Sequence, residues 1–588
     1  MNKTKIRCTW RSVAISLACM QGCSRDSSRG DVGDFTTNAT GQQGGEVTSS
    51  AGASADGGSE DEDGGFASPA DFGAGHEPPP PEQEGEGDFK VPKASGKYVY
   101  SANETTDSVA VIDTSTLAID VVTVSRGPTV VAAIPGTPDD RGAVAVLDQA
   151  VGEAAVIHTS PNHESTVALV PVALASNNLA ASPDGTIVIA YHDADAEVPL
   201  TNGSDQELSV VVLETAQAFS MTIGVHPRRI VFSNDNARAY VVTDDGVNVI
   251  ELTQLGMMGK PKLIPVVEDS GLDPSTLEVQ VSQSRGVALA RVDGEHWLAL
   301  TNLVSEARTE LTMPDYPTDV DVSSDGRFAI ATLPNRDGSH VVEIPLPATH
   351  AGDYETYAVG DEYVGVAELS GDGNTLVLYT TQNPWDMTDE TDTSTGTDTS
   401  TGTDTGTGTG ADTGEIDHPD PRKRVTVLRR GSGGGWTESA TLFVETPIAY
   451  VGMAPNGRNA MLVHTASTTP GLPYSYTLLD LSQTYPLKKL QTLETAPAGV
   501  LFSPDGSRAA VMLRNDTMDV RRVDLVNLGN FIVKNIALGS PPNGLGYVEA
   551  TQKIFIAQEH ASGRISFVDR DENVQTVTGF QLNDSVKD

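Results

Sequence analysis

The sequence predicts an all-β fold, a β-propeller of four-stranded antiparallel blades, and three recurring marks predict it. The first is a tight turn followed by an apolar strand. It reads Ser182-Pro-Asp-Gly185 before Ile187-Val-Ile-Ala190, Ser233-Asn-Asp-Asn236 before Ala239-Tyr-Val-Val242, and Ser323-Ser-Asp-Gly326 before Phe328-Ala-Ile-Ala331. Ser370-Gly-Asp-Gly373, Ala454-Pro-Asn-Gly457 and Ser503-Pro-Asp-Gly506 repeat it. Asp-Gly and Asn-Gly supply the positive φ that tight hairpins need. The second mark is a proline opening the strand before each turn: Pro128, Pro227, Pro317, Pro447, Pro497 and Pro542. Proline suits a strand's first position, where its missing N–H does no harm. The third is an apolar strand ending in an acidic residue, as in Val109-Ala-Val-Ile-Asp-Thr114, Val210-Val-Val-Leu-Glu-Thr215, Val249-Ile-Glu-Leu252, Leu478-Leu-Asp-Leu481 and Ile565-Ser-Phe-Val-Asp569.

One unit is therefore proline, strand, Asp-Gly turn, strand, polar hairpin, strand ending in Asp, turn, strand. Small four-stranded meanders repeated radially leave only short, protected edges, which favours a propeller over a solenoid or a row of sandwiches. Second strands are expected near Tyr98, Val144, Val188, Tyr240, Val287, Ala329, Val377, Met461, Ala510 and Phe555. That makes ten units and a ring of eight to ten blades, against the roughly four to eight of most propellers. The unit near Val287 lacks the Asp-Gly turn, and the unit near Val144 has Pro138-Asp-Asp-Arg141 instead. The first unit reads as short of an initial strand, which Gly579-Phe-Gln-Leu582 is expected to supply.

Tyr98-Val-Tyr-Ser-Ala-Asn103, Ser108-Val-Ala-Val-Ile-Asp-Thr114 and the Ser-Pro-Asp-Gly turns resemble the YVTN-type β-propeller repeat of secreted and surface-layer proteins. The resemblance covers roughly residues 90–580. It implies a fold, because such repeats specify blades rather than a site. Some YVTN-like propellers also resemble sugar-lactone hydrolases, whose site uses His, Arg and Glu at the channel mouth.

The N-terminus reads as an address. Lys3, Lys5, Arg7 and Arg11 precede an apolar run, Ser12 to Met20, too short to span a bilayer. Met20-Gln-Gly-Cys23 then resembles a bacterial lipoprotein box, with Met20 where Leu is usual and Cys23 as the lipidated residue; Cys19 is the competing site. Residues 1–22 are thus expected to be a lipoprotein signal peptide, and lipidation would hold the chain at a membrane without a spanning helix. Residues 23–90 are an acidic Gly/Ser/Pro segment with hardly any large apolar side chain, which cannot offset its own ordering entropy and reads as a disordered tether. The propeller is expected over 91–588, interrupted by an Asp/Thr/Gly tract at 384–421 that reads as an inserted loop.

The 588 residues carry 38 Lys+Arg and 80 Asp+Glu, a net charge of −42. That sign repels phosphate backbones, so nucleic acid is excluded as a general partner. All three cysteines lie in the first 23 residues, so no disulfide framework or Cys-based metal site is available to the blades. No hydrolase elbow, zinc helix or phosphate-binding loop occurs in the sequence.

Two local groups carry chemistry. His226-Pro-Arg-Arg229 opens an innermost strand, which would place His226, Arg228 and Arg229 near the channel mouth for acid–base work or anion contacts. His192-Asp-Ala-Asp-Ala-Glu197 sets Asp193, Asp195 and Glu197 on one face of an extended segment, a weak calcium prospect beside the plainer reading of a solvated hairpin. No other cofactor is expected. Arg422-Lys-Arg424 and Arg429-Arg430 flank the insert and read as neutralising it; Trp297, Trp385 and Trp436 read as packing anchors. The function expected is an envelope-anchored binding or scaffolding module for a protein or small ligand, in the outer membrane or at the cell surface. The alternatives are a lactonase-like hydrolase and a structural surface-layer component.

Overall fold

The computed structural model describes residues 91–580, apart from 197–199, 201, 257–259, 269–270, 336–337, 361–362, 382–419 and 469. The expected signal peptide, Cys23, the expected tether, Trp385 and the bulk of the insert lie outside the described residues.

The described chain forms ten four-stranded antiparallel sheets, each strand pairing with the next in sequence. The blades span 93–123, 128–171, 178–222, 229–264, 277–312, 319–358, 366–443, 448–493, 497–537 and 542–578. All ten expected second strands are second strands. The two irregular units are blades as well. In blade 5, Ser282-Gln-Ser-Arg-Gly286 replaces the Asp-Gly turn and closes with the Gly286 N–H on the Ser282 carbonyl at 2.9 Å.

The expected turn chemistry is present. In Ser182-Pro-Asp-Gly185 the serine Oγ donates to Asp184 Oδ1 at 2.6 Å and accepts the Ile187 N–H at 3.0 Å. Gly185 has φ +67, and a Cβ there would stand 2.1 Å from the Pro135 carbonyl oxygen of blade 2. The turn needs glycine both for its backbone and because it is stacked on the preceding blade. Pro128, Pro497 and Pro542 are the first residues of their innermost strands, and each is followed by a register shift. The prolines open their strands through a bulge.

Ring closure follows from side-chain parity. Alternate residues of one strand serve opposite neighbours: Tyr98 and Tyr100 fill the layer toward blade 2, and Val99 the layer toward blade 10. Ten such apolar layers occupy the spaces between consecutive blades, the last joining blade 10 to blade 1. Central strands are covered on both faces, which is why they read as continuous apolar runs.

Closure corrects one expectation. Blade 1 has its own innermost strand, Lys93–Ser95, paired with Tyr98–Tyr100, so the C-terminus contributes none. Phe580 instead inserts its ring into the closing layer beside Phe555 and Phe567; residues 581–588 lie outside the described residues. Among the described residues, no helix is long and apolar enough to cross a membrane.

Candidate functional site

Meander topology fixes which loops share a face. The turns from second to third strand and the connections from one blade's outermost strand to the next blade's innermost strand emerge at the same end. The segments 192–196, 202–206, 223–228 and 244–245 therefore meet at one rim, between blades 3 and 4.

Both sequence candidates converge there. His226 lies in the connection between blades 3 and 4 with φ +50, a left-handed conformation few residues other than glycine adopt. Its N–H donates to Asp205 Oδ2 at 3.1 Å, and its Nδ1 lies 2.8 Å from Asp244 Oδ2. Arg228 donates from Nε to Asp244 Oδ1 at 2.8 Å and from Nη1 to Asp195 Oδ1 at 3.0 Å. The backbone adds the Ala194 N–H on the Pro227 carbonyl at 2.8 Å. Asp244 organises the group by holding His226 and Arg228 at once. Sequence reading passed over it, although it sits in Thr243-Asp-Asp-Gly246, a second-to-third-strand turn, and such turns share the rim with the connection that carries His226.

The other candidates go elsewhere. Arg229 begins the innermost strand of blade 4 and donates to Gln280 Oε1 of blade 5 at 3.1 Å. Asp193 accepts the Asn178 amide at 3.0 Å and the Asp195 N–H at 3.1 Å, and burial raises its pKa above the usual carboxylate range. The segment 193–196 is a turn, not an extended strand, so Asp193 and Asp195 diverge to separate partners. Glu197 lies outside the described residues. Among the described residues, no three His, Cys, Asp or Glu side chains stand together in a way that could hold a metal ion.

Arg429 and Arg430 are also placed differently from expectation. They end the seven-residue strand Arg424–Arg430, about 20 Å from the insert end at 3.3 Å per residue. Arg430 pairs with Glu343 of blade 6 and stacks over Phe328, 4.2 Å from its centroid. Trp436 donates to the same Glu343 at 2.7 Å and is buried, the anchor its residue type suggests. Arg429 donates to the Gln483 carbonyl of blade 8 at 2.9 Å. Arg422 pairs with Asp420 at 3.0 Å, at the edge of the insert.

The channel wall has two characters. Its ten innermost strands contain no histidine. Blades 9 and 10 present Pro497-Ala-Gly-Val-Leu-Phe502 and Pro542-Asn-Gly-Leu-Gly-Tyr-Val548, mostly small and apolar. Blades 5 to 7 carry Glu278, Asp319, Asp321 and Glu368 instead. Asp319 Oδ2 accepts the Ala367 N–H of blade 7 at 2.8 Å, and Asp321 accepts the Leu369 N–H. These carboxyls thereby satisfy donors on the otherwise open edge of the next blade. Enclosure by the surrounding blades, reinforced by neighbouring carboxylates, raises Asp319 and Asp321 well above the ordinary range and Glu368 to about 8. Glu278 is held by Arg291 Nε at 2.8 Å.

No family model matches the chain, and no curated protein matches it. Solved structures similar to it include a eukaryotic initiation factor (11% identity, TM-score 0.43, 83% of this chain and 95% of that one). Dihydro-heme d1 dehydrogenase NirN in complex with DHE follows at 12% identity and TM-score 0.37, over 78% of this chain and 75% of that one. The Myceliophteria thermophila Cps50 (Swd1) β-propeller domain is 10% identical with TM-score 0.30, over 57% of this chain and 93% of that one.

Proposed function

We propose that this chain is an envelope lipoprotein of the YVTN-repeat kind, anchored through Cys23, whose ten-blade ring acts as a binding or scaffolding module. One observation carries the reading. The innermost strands of blades 2, 3 and 8 to 10 carry no charged side chain and are mostly small and apolar, and Asp319 and Asp321 of blade 6 are engaged with blade 7. Such a wall offers shape and a local acidic surface to a partner. A lactonase-type centre needs an available imidazole beside a substrate position. His226 is at the rim with Nδ1 on Asp244, and Nε2 lies 3.7 Å from Asp205 Oδ2.

The test uses the full-length protein in its native envelope. A photo-cross-linking residue at Ala498, on the channel wall, should capture a reproducible, stoichiometric partner that the same residue at Lys488, on the outer edge of blade 8, does not. Identical products from both positions, or none from Ala498, would remove the binding reading. Cys23→Ala should release the protein from the membrane fraction; continued membrane retention would remove the anchor. Lactone turnover abolished by His226→Ala would replace the module with an enzyme.

A further inference from the structure

Asp148 ends the second strand of blade 2 and is completely buried. Neither of its carboxylate oxygens makes a well-formed hydrogen bond, and the Ser125 N–H reaches the group only weakly. Buried polar groups are nearly always satisfied, so a carboxylate this poorly satisfied calls for an explanation.

Parity shows what it faces. Val144 and Val146 pack toward blade 1, and Asp148 continues that face. Glu153 lies opposite Asp148 in register and continues the face of Ala155 and Ile157, toward the same seam. Across the seam, Asp107 sits in the turn just before Ser108 of blade 1, and its charge acts on Asp148. Three carboxylates thus converge on the rim end of the seam between blades 1 and 2. Two are engaged: Glu153 Oε2 accepts the Ser125 hydroxyl at 2.5 Å, and Asp107 Oδ1 accepts the Gly127 N–H at 2.9 Å. The remaining charged groups on these loops, Glu104 and Arg126, are exposed. The three do not form a metal-holding set.

We propose that Asp148 is a proton-operated latch on the seam between blades 1 and 2, closed while it is a neutral carboxylic acid and loosened when it ionises against Glu153 and Asp107. Burial first, then the charges of Glu153 and Asp107, push its pKa up to about 7, although the Ser125 N–H pulls the other way. The sign follows from linkage. The closed seam binds the proton more tightly than the opened one, so closure is strongest below the carboxyl's ordinary pKa near 3.8 and is lost as pH rises to about 7. The midpoint lies where a modest change in acidity alters the seam.

Hydrogen exchange of the full-length protein, corrected for intrinsic rates, tests this at pH 5.5 and pH 8. Segments 98–113 and 142–159 should open roughly thirtyfold more at pH 8, the ratio that linkage gives for those two pKa values. Asp148→Asn, which keeps the shape without the charge, should abolish the difference in those segments. Glu153→Gln, which removes a facing charge, should ease ionisation of Asp148 and lower its pKa, so that the change in exchange is smaller and is complete at lower pH. Exchange with no pH dependence in the wild type, or the same dependence in Asp148→Asn, would overturn the latch. Protection at pH 8 by added calcium, absent in Asp148→Asn, would also overturn it, because a cation and not a proton would then be the counter-charge.

Discussion

The seams around blade 6 and the seam that closes the ring all contain an apolar layer but differ in the polar groups that accompany it. On either side of blade 6 polar groups cross the seam: Asp319 accepts the Ala367 N–H of blade 7, and Arg291 of blade 5, which holds Glu278, donates to the Pro317 carbonyl that leads into blade 6 at 3.4 Å. Farther out, Glu343 ties Arg430 and Trp436 together. The closing seam between blades 10 and 1 is an aromatic and aliphatic layer of Val99, Ile112, Phe555, Ile565, Phe567 and Phe580. Among the described residues no strand is exchanged to secure it. A ring can therefore be closed mainly by burial when both partner faces are continuous, with the Lys553 ammonium donating to the Thr114 carbonyl at 2.7 Å at the edge of the layer, whereas seams lined by carboxyls acquire a dependence on pH that burial lacks.

The largest expected effect breaks the closing seam. Phe567 is 1% exposed within that layer, and truncation of a buried phenylalanine costs about 3–5 kcal/mol in lost transfer and cavity formation. Phe567→Ala should lower chemical-denaturation stability by that order, equally at pH 5.5 and pH 8. A loss that differs between the two pH values would show that the layer is coupled to a titrating group.

The next effect sharpens the polar side. Glu368 has its pKa raised to about 8 from an ordinary 4.5, by burial first and Asp319 second. Its proton is bound more tightly in the folded ring, so the stabilisation is complete below about pH 4.5 and is lost as pH rises through 8. Wild-type protein should lose stability across that interval, and Glu368→Gln should flatten the curve by on the order of 2 kcal/mol. An unchanged slope would mean that Glu368 is hydrated in the channel as it is in the unfolded chain. The same comparison in Phe567→Ala should leave the wild-type slope intact.

These two seams were not equally legible from sequence. The strands, the turns and the number of units were readable because hairpin chemistry and strand periodicity are local. Pro497, Gly506 and the run Ala509 to Leu513 announce blade 9 without reference to anything distant. Partnership across a seam is not local. Asp244, Glu343 and Asp319 each act on a residue of another strand or blade, and nothing beside them in the chain reports it. Arg430 misled for the same reason: six residues along a strand separate it from Arg424, and its partners Glu343 and Phe328 lie in blade 6. The expected strand exchange failed because Lys93-Ala-Ser95 is too short and too polar to stand out as a strand, while its pairing with Tyr98–Tyr100 is secured by a turn at Gly96 with φ +53.

The smallest effect asks how much the polar contacts at the edge of the closing seam contribute. Thr114 and Thr551 meet across it, with their hydroxyls 2.8 Å apart. The Thr114 hydroxyl already donates to the Lys97 carbonyl at 2.8 Å, so its single hydrogen is committed and Thr551 must be the donor. Thr551→Val removes that donor while preserving shape, and Thr114 keeps its bond to Lys97. No donor is orphaned, so the loss should stay near the net value of one hydrogen bond, about 0.5–1.5 kcal/mol. It should also be independent of pH, since neither hydroxyl titrates in the accessible range. A loss as large as that of Phe567→Ala would reverse the comparison: the ring would then be closed by a polar clasp at its edge, with the aromatic layer filling space behind it.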